Sequence, residues 1–288
     1  MKIFTSLSFL VLITFYSSAQ VLRVSLGSGI ANYSGDIQQK WFTTKGSKPF
    51  LSIGASVDVA NHILVRADVT FTNLAADDKN NSDPALTARN LNFKTSITDI
   101  SLVGEYDLFT LQKHRITPYV FAGIGAFHFN PFTTGDKDEK VFLKPLSTEG
   151  QGLPEYPNRK PYSLTQMNIP YGAGLKWSIT DDLQFGAELS LRKLFTDYVD
   201  DLSTTYVDQS ILLNRVGPDA VRYSYRGDEI KNDSPGYPNE NSIRGNSGQK
   251  DSYYFARIRL NLRIGWLTND DITSGNIVTN KKSLRCPW

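Results

Sequence analysis

Apolar and polar residues alternate with a period of two through much of this chain, most cleanly in its last long strand. Between residues 252 and 266, Tyr254, Ala256, Ile258, Leu260, Leu262, Ile264 and Trp266 share one face. Arg257, Arg259, Asn261 and Arg263 fall on the other, because successive side chains of a β-strand point to opposite sides. At about 3.3 Å per residue and a tilt of about 40°, Tyr254 and Trp266 stand roughly 30 Å apart along a barrel axis. That is close to the spacing of two membrane interfaces. The pattern predicts one stave of a transmembrane barrel, with a lipid-length apolar face, aromatic ends and an arginine-bearing inner face. A long strand of a soluble sandwich is the alternative that this segment alone leaves open.

Seven more segments repeat the pattern. Residues 22–30 set Leu22, Val24 and Leu26 against Arg23 and Ser25, and residues 51–60 set Leu51, Ile53, Ala55, Val57 and Val59 against Ser52, Gly54, Ser56 and Asp58. After a turn at Asn61 and His62, residues 63–71 place Ile63, Val65, Ala67, Val69 and Phe71 opposite Arg66, Asp68 and Thr70. Residues 95–109 offer Ile97, Ile100, Leu102 and Tyr106 around Glu105 and Asp107 in a less regular register, and residues 116–129 are too rich in aromatics and glycine to assign a face. Residues 166–177 and 183–194 alternate cleanly again. The fold expected is all-β: an eight-stranded antiparallel transmembrane β-barrel. Its connections support it, because short turns at Asn61, 111–115 and 180–182 alternate strictly with long polar loops. That is how a barrel with short periplasmic turns and long extracellular loops is connected.

An eight-stranded barrel has an interior just wide enough for side chains. The inward set Arg23, Arg66, Asp68, Glu105, Asp107, Lys176, Glu188, Arg192, Arg257, Arg259 and Arg263 carries both signs. Unpaired, such charges would be too costly to bury, so a paired lumen network is expected rather than a diffusion pore.

Composition adds exclusions. The 288 residues hold 31 basic and 29 acidic side chains, a net charge of +2, which gives no electrostatic case for nucleic acid. Lys2, the apolar run 3–15 and the small residues Ser17, Ser18 and Ala19 read as a secretory signal peptide over residues 1–19. The barrel is then expected over 20–266 and a polar, periplasmic tail over 267–288, in a protein exported to the outer membrane. No run of about eighteen apolar residues follows, so a spanning helix is not expected. Cys286, the single cysteine, reads as a free thiol in the tail.

Candidate chemistry is sparse. His62 and His114 fall in turns and His128 lies at the opposite rim, so no histidine pair forms a site. A rim hydrolase built around His128 is the enzymatic alternative, although the chain is read as a non-enzyme. Asp197, Asp200, Asp201 and Asp208 are weak candidates for a calcium site, against a solvated rim network as the plainer reading. No other cofactor is expected.

Five segments together resemble a known family: TPYVFAGIGAFHFNPF (117–132), LKPLSTEGQG (143–152), NIPYGAGLKW (168–177), LRKLFTDYVDDLSTTYVD (191–208) and KDSYYFARIRL (250–260). They are similar to the PorG-like outer-membrane barrels of the type IX secretion system, with TEGQG and FTDYVDD the most specific parts. The family pattern has glycine where Ser147 stands, and the tail after Trp266 lies outside it. The resemblance implies a non-enzymatic barrel that anchors or organises, at the outer membrane, the periplasmic ring built from a lipoprotein and its partner. A docking surface at the periplasmic end is expected to use His62, Gln112, Lys113, His114, Arg115, Asp181, Asp182, Lys281 and Lys282. Each of these also serves to keep a turn soluble. The loop 196–251 is far longer than closure requires, so a surface-binding barrel acting through its loops is a further alternative.

Overall fold

A computed structural model describes residues 21–111, 114–230 and 236–264. The strands are β1 (Leu22–Ser34), β2 (Lys48–Ala60), β3 (Ile63–Asp77), β4 (Asn92–Asp107), β5 (Ile116–His128), the short hairpin β6 (Phe132–Thr134) and β7 (Lys140–Phe142), then β8 (Thr165–Ser178), β9 (Leu183–Leu194) and β10 (Ser252–Arg263). The eight long strands pair antiparallel in the order β1, β2, β3, β4, β5, β8, β9, β10. Strand β10 then pairs back onto β1, from Arg23 opposite Arg263 to Ser34 opposite Ser252, and the sheet closes. Closure leaves no barrel edge, so every wall strand has a ladder partner on both sides.

Most of the expected outward residues are outward. Leu26, Leu51, Ile53, Phe71, Ile100, Leu102, Val120, Ile124, Leu175, Ile258, Leu260 and Leu262 are all exposed, and they girdle the wall in an apolar belt. Trp41, Phe42 and Tyr171 stand toward one end of it and Tyr106, Phe109 and Trp177 toward the other, all exposed. A belt of that size on a protein surface requires an apolar medium to cover it. Among the described residues no helix is long and apolar enough to cross a membrane.

The irregular strands resolve as follows. On β4, Ile97 and Val103 face inward, each 2% exposed, rather than outward with Ile100 and Leu102. On β5, Tyr119, Phe121 and Phe127 face inward. The glycines of β5 allow close strand approach: a Cβ on Gly123 would lie 2.0 Å from the Leu102 carbonyl oxygen. Strands β1, β3 and β4 run past the lengths expected, because their inner faces continue into a folded cap of loops. The last strand ends at Arg263, and Trp266 lies outside the described residues, as do residues 1–19 and 267–288.

Candidate functional site

The lumen is filled by charge. Arg66 pairs with Asp68 at 2.8 Å, Glu105 at 2.7 Å and Glu188 at 3.1 Å. Lys176 reaches Glu105 and, at 2.7 Å, Asp107. Arg257 lies 3.2 Å from Asp68 and 3.5 Å from Glu188, which also receives Arg259. Arg192 pairs with Asp99 at 3.1 Å. The sequence reading omitted Asp99, although it shares its β4 parity with Glu105 and Asp107; the inward Ile97 hid that parity. Five cations thus meet five carboxylates, which is the condition for burying them together. Inward aromatics complete the packing: the guanidinium of Arg66 lies 4.9 Å from the Phe121 ring centre and the ammonium of Lys176 4.8 Å from that of Tyr119. Arg23 sits apart at the turn end, 2.6 Å from Asp58, where Arg263 is half-buried.

Above the lumen the four long loops fold over the barrel mouth. Their short helices are α1 (Pro84–Arg89), α2 (Gln209–Arg215) and α3 (Pro218–Ser224). The cap is tied to the wall by one apolar core in which Tyr33, Leu74, Phe93, Ile97 and Phe127 from the strands meet Ile37, Leu91, Phe129, Tyr162, Val199, Leu202 and Tyr223 from the loops. This explains the inward Ile97 and Phe127: the same strand face is lumen at one level and cap floor at another, while Val103, Tyr119 and Phe121 form an apolar cluster within the lumen.

Two arginines organise the polar part of the cap. Arg244 donates to Glu149 at 3.0 Å, to the Asp201 carbonyl at 2.7 Å and to the Ser224 carbonyl at 3.1 Å. Arg89 donates to both oxygens of Asp78 at 2.8 Å and to the Arg244 carbonyl. Glu149 also accepts from the backbone N–H groups of Ser203 and Thr204, both at 3.0 Å. Thr148 and Tyr162 donate to the two oxygens of Asp201. Residues of TEGQG therefore close on residues of FTDYVDD. The turn entering this contact holds Ser147 at φ 46°, a left-handed conformation in which glycine is the unstrained residue.

Three of the four acidic candidates are buried, not solvated as the plainer reading expected, and Asp208 is half-buried. Asp197 is 2% exposed, Asp200 and Asp201 0%. Tyr33 donates to Asp200 and stands 2.9 Å from Asp251, one hydroxyl between two carboxyls. Asp208 is elsewhere, capping α2 through the Ile211 N–H at 2.9 Å. Among the described residues, no group of three or more His, Cys, Asp or Glu side chains is arranged to hold a metal ion.

Burial raises the pKa values of this cluster. The Asp197 carboxyl, with no hydrogen-bond partner of good geometry for either oxygen, is pushed up to about 7. Asp201 is raised to about 6, with burial outweighing Arg244. Asp200 is raised well above its ordinary value by burial and by Asp36, and Asp251 by burial and by Asp200 and Asp197. Each group binds its proton more firmly folded than unfolded, so its contribution to stability is complete below about pH 4. The contribution is lost as pH rises through about 6 for Asp201 and about 7 for Asp197. Hydrogen exchange of cap amides is expected to accelerate from pH 5 to pH 8, after correction for intrinsic chemistry, by up to about tenfold per pH unit for each proton released. Asp197→Asn should flatten the upper part of that profile; an unchanged profile would remove Asp197 from the account.

At the turn end, the His62 ring stacks on Tyr106 at 5.8 Å with Nδ1 2.7 Å from the Asp107 carbonyl, and His114 packs 5.2 Å from Phe109. Asp181 and Asp182 are exposed on the β8–β9 turn. These residues and Arg115 share one end of the barrel, opposite the cap. Gln112, Lys113, Lys281, Lys282 and Cys286 lie outside the described residues. His128 is exposed on the outer wall, its Nδ1 3.0 Å from the Thr165 hydroxyl, with no carboxylate among its hydrogen-bond partners.

A closed eight-stranded barrel with an apolar outer belt, a charge-filled lumen and a folded cap over one mouth is a barrel of the outer-membrane type. The chain belongs to the family of the domain of unknown function DUF6089, whose model matches residues 1–217. No curated protein matches the chain. Neisserial surface protein A is similar in structure at 9% identity and a TM-score of 0.41, over 86% of this chain and 98% of that one. Ail, the attachment invasion locus protein of Yersinia pestis, is similar at 7% identity and 0.41, over 86% and 100%. A major outer membrane protein from Thermus thermophilus is similar at 11% identity and 0.41, over 86% and 100%.

Proposed function

We propose that this protein is an integral outer-membrane barrel, exported by its N-terminal signal peptide. In this reading it serves without catalysis as an anchoring or organising component of the type IX secretion machinery. The observation that carries the reading is that the two most specific segments of the resemblance meet in the cap, through Thr148, Glu149 and Asp201. Scattered residues that resemble a family and also share one contact are better support than a string of letters. The filled lumen favours an anchor over a conduit, since cargo or solute would have to displace five paired cations and their carboxylates. His128 lacks the acid that would orient a general base, so the hydrolase alternative gains nothing from its surroundings.

The partner surface then belongs to the end that faces the periplasm, with His62, His114, Arg115, Asp181 and Asp182 displayed on its turns. The expected partners are the ring lipoprotein and the protein it assembles with. A mild-detergent pull-down of the tagged full-length chain from its native membranes should retain both. Reversing charge at Arg115, Asp181 and Asp182 should cut that recovery at least about fivefold, the size of a few exposed polar contacts. Recovery of a cell-surface receptor instead moves the interface to the cap, and a barrel recovered alone after crosslinking ends the secretion reading.

A further inference from the structure

One part of the first long loop departs from the cap. Residues 41–43 fold outward, over the outside of the wall. The Phe42 ring lies 5.3 Å from Tyr254, whose hydroxyl donates to the Thr43 carbonyl at 2.8 Å. Tyr171, Leu191 and Tyr254 stand side by side across β8, β9 and β10, since Leu191 is the register partner of both tyrosines. Trp41 overhangs them, and between overhang and wall lies a crevice of about 450 Å³. Its apolar floor continues the belt at the capped end, the level of outer-leaflet headgroups in a membrane-spanning barrel.

The charged residues bordering the crevice are distributed unevenly. Lys193, flanked by Ile169 and Ser252, is exposed and makes no ion pair among the described residues. Lys250 donates to the Ser247 carbonyl at 3.1 Å, which leaves two of its N–H groups to bind elsewhere. The acidic residue on the lining, Asp251, is turned inward to Tyr33 and to the Val199 N–H. Arg192 is spent in the lumen on Asp99. What lines the crevice is therefore two lysines above an aromatic and aliphatic floor, the charge of Lys250 being felt also by the buried Asp197. Trp41 at 54% and Phe42 at 59% exposure would be poorly placed in water.

We propose that this crevice binds one phosphate-bearing, acylated lipid of the outer leaflet, its phosphate between Lys193 and Lys250 and an acyl chain against Tyr171, Leu191 and Trp41. Charge complementarity and the depth of the site select this occupant. The proposal rests on the membrane reading above, and the two are separable by experiment.

Two full-length single-tryptophan chains serve the test, one keeping Trp41 and one keeping Trp177 at the opposite interface, with Phe at the other tryptophans. Each is reconstituted in phosphatidylcholine vesicles containing an equal small fraction of acyl-chain spin-labelled phosphatidylglycerol or spin-labelled phosphatidylcholine. Trp41 should be quenched by the anionic lipid at about one-fifth of the mole fraction needed for the zwitterionic one, and Lys193→Ala with Lys250→Ala should erase that preference. Trp177 should respond to both lipids alike. Equal quenching of Trp41 by the two lipids, or a preference that survives loss of both lysines, overturns the site while leaving the membrane reading intact. If neither lipid quenches Trp177, the membrane reading itself fails and the site fails with it.

Discussion

Glu188→Ala should lower the unfolding free energy of the barrel by about 3–5 kcal/mol, the cost of removing one partner from a buried ion cluster. Glu188 is the carboxylate on which Arg66, Arg257 and Arg259 converge, and Tyr119 donates to it at 2.8 Å. Its loss leaves three neighbouring guanidinium groups sharing the remaining carboxylates in a space from which water is excluded. Pairing the substitution with Arg259→Ala should recover part of the loss, because one uncompensated cation goes with it. Urea unfolding in micelles, followed by tryptophan fluorescence, reads both variants. A single variant within about 1 kcal/mol of the parent would show that the lumen tolerates unpaired charge, and the packed-network account would be wrong.

Arg244→Ala should act as strongly but in a different place. Arg244 is 2% exposed and joins three stretches of the cap by binding Glu149, the carbonyl of Asp201 and the carbonyl of Ser224. Removing it leaves Glu149 buried with its charge unmatched, at a cost of about 3–4 kcal/mol. The penalty falls on cap opening, so exchange of cap amides should speed by about a hundredfold to a thousandfold while amides of β8, β9 and β10 keep their protection. Arg244→Lys should rescue little, since a single ammonium cannot reproduce the fork that reaches all three groups. Loss of protection throughout the wall strands would mean that cap and barrel unfold as one unit, against the local role assigned to this residue.

The strands that sequence patterning located well are those whose outer face meets a uniform medium. On β8, β9 and β10 every second residue faces the same apolar surroundings, so a period of two is enough to orient each side chain. It also located the lumen charges, because a charged residue alternating with leucine and isoleucine has one place to go. Patterning failed on β4 and β5, and the inward Ile97, Val103, Tyr119, Phe121 and Phe127 show why. Ile97 and Phe127 lie where cap loops pack on the inner face, whereas Val103, Tyr119 and Phe121 form a second apolar cluster at the level of Glu105 and Asp107, packed among the lumen charges. A strand crossing two environments carries no single period.

The cap was legible only as length and composition. Asp197, Asp200 and Asp201 read as a solvated rim because three acids in seven residues of a polar loop ordinarily face water. Their burial depends on Tyr33 and Glu149, which are distant in the chain, and on Arg244 from the far end of the same loop. Local sequence holds no record of those meetings. Alternation along the chain, by itself, determined an antiparallel barrel with eight wall strands, its lipid-facing belt and the sign balance of its interior, since each follows from which neighbours lie two residues apart. The tertiary structure alone decided that the long loops form a packed cap, that the acids are inside it and that Trp41 overhangs the outer wall. Those outcomes depend on side chains tens to hundreds of residues apart excluding water from one another, and no local period encodes that.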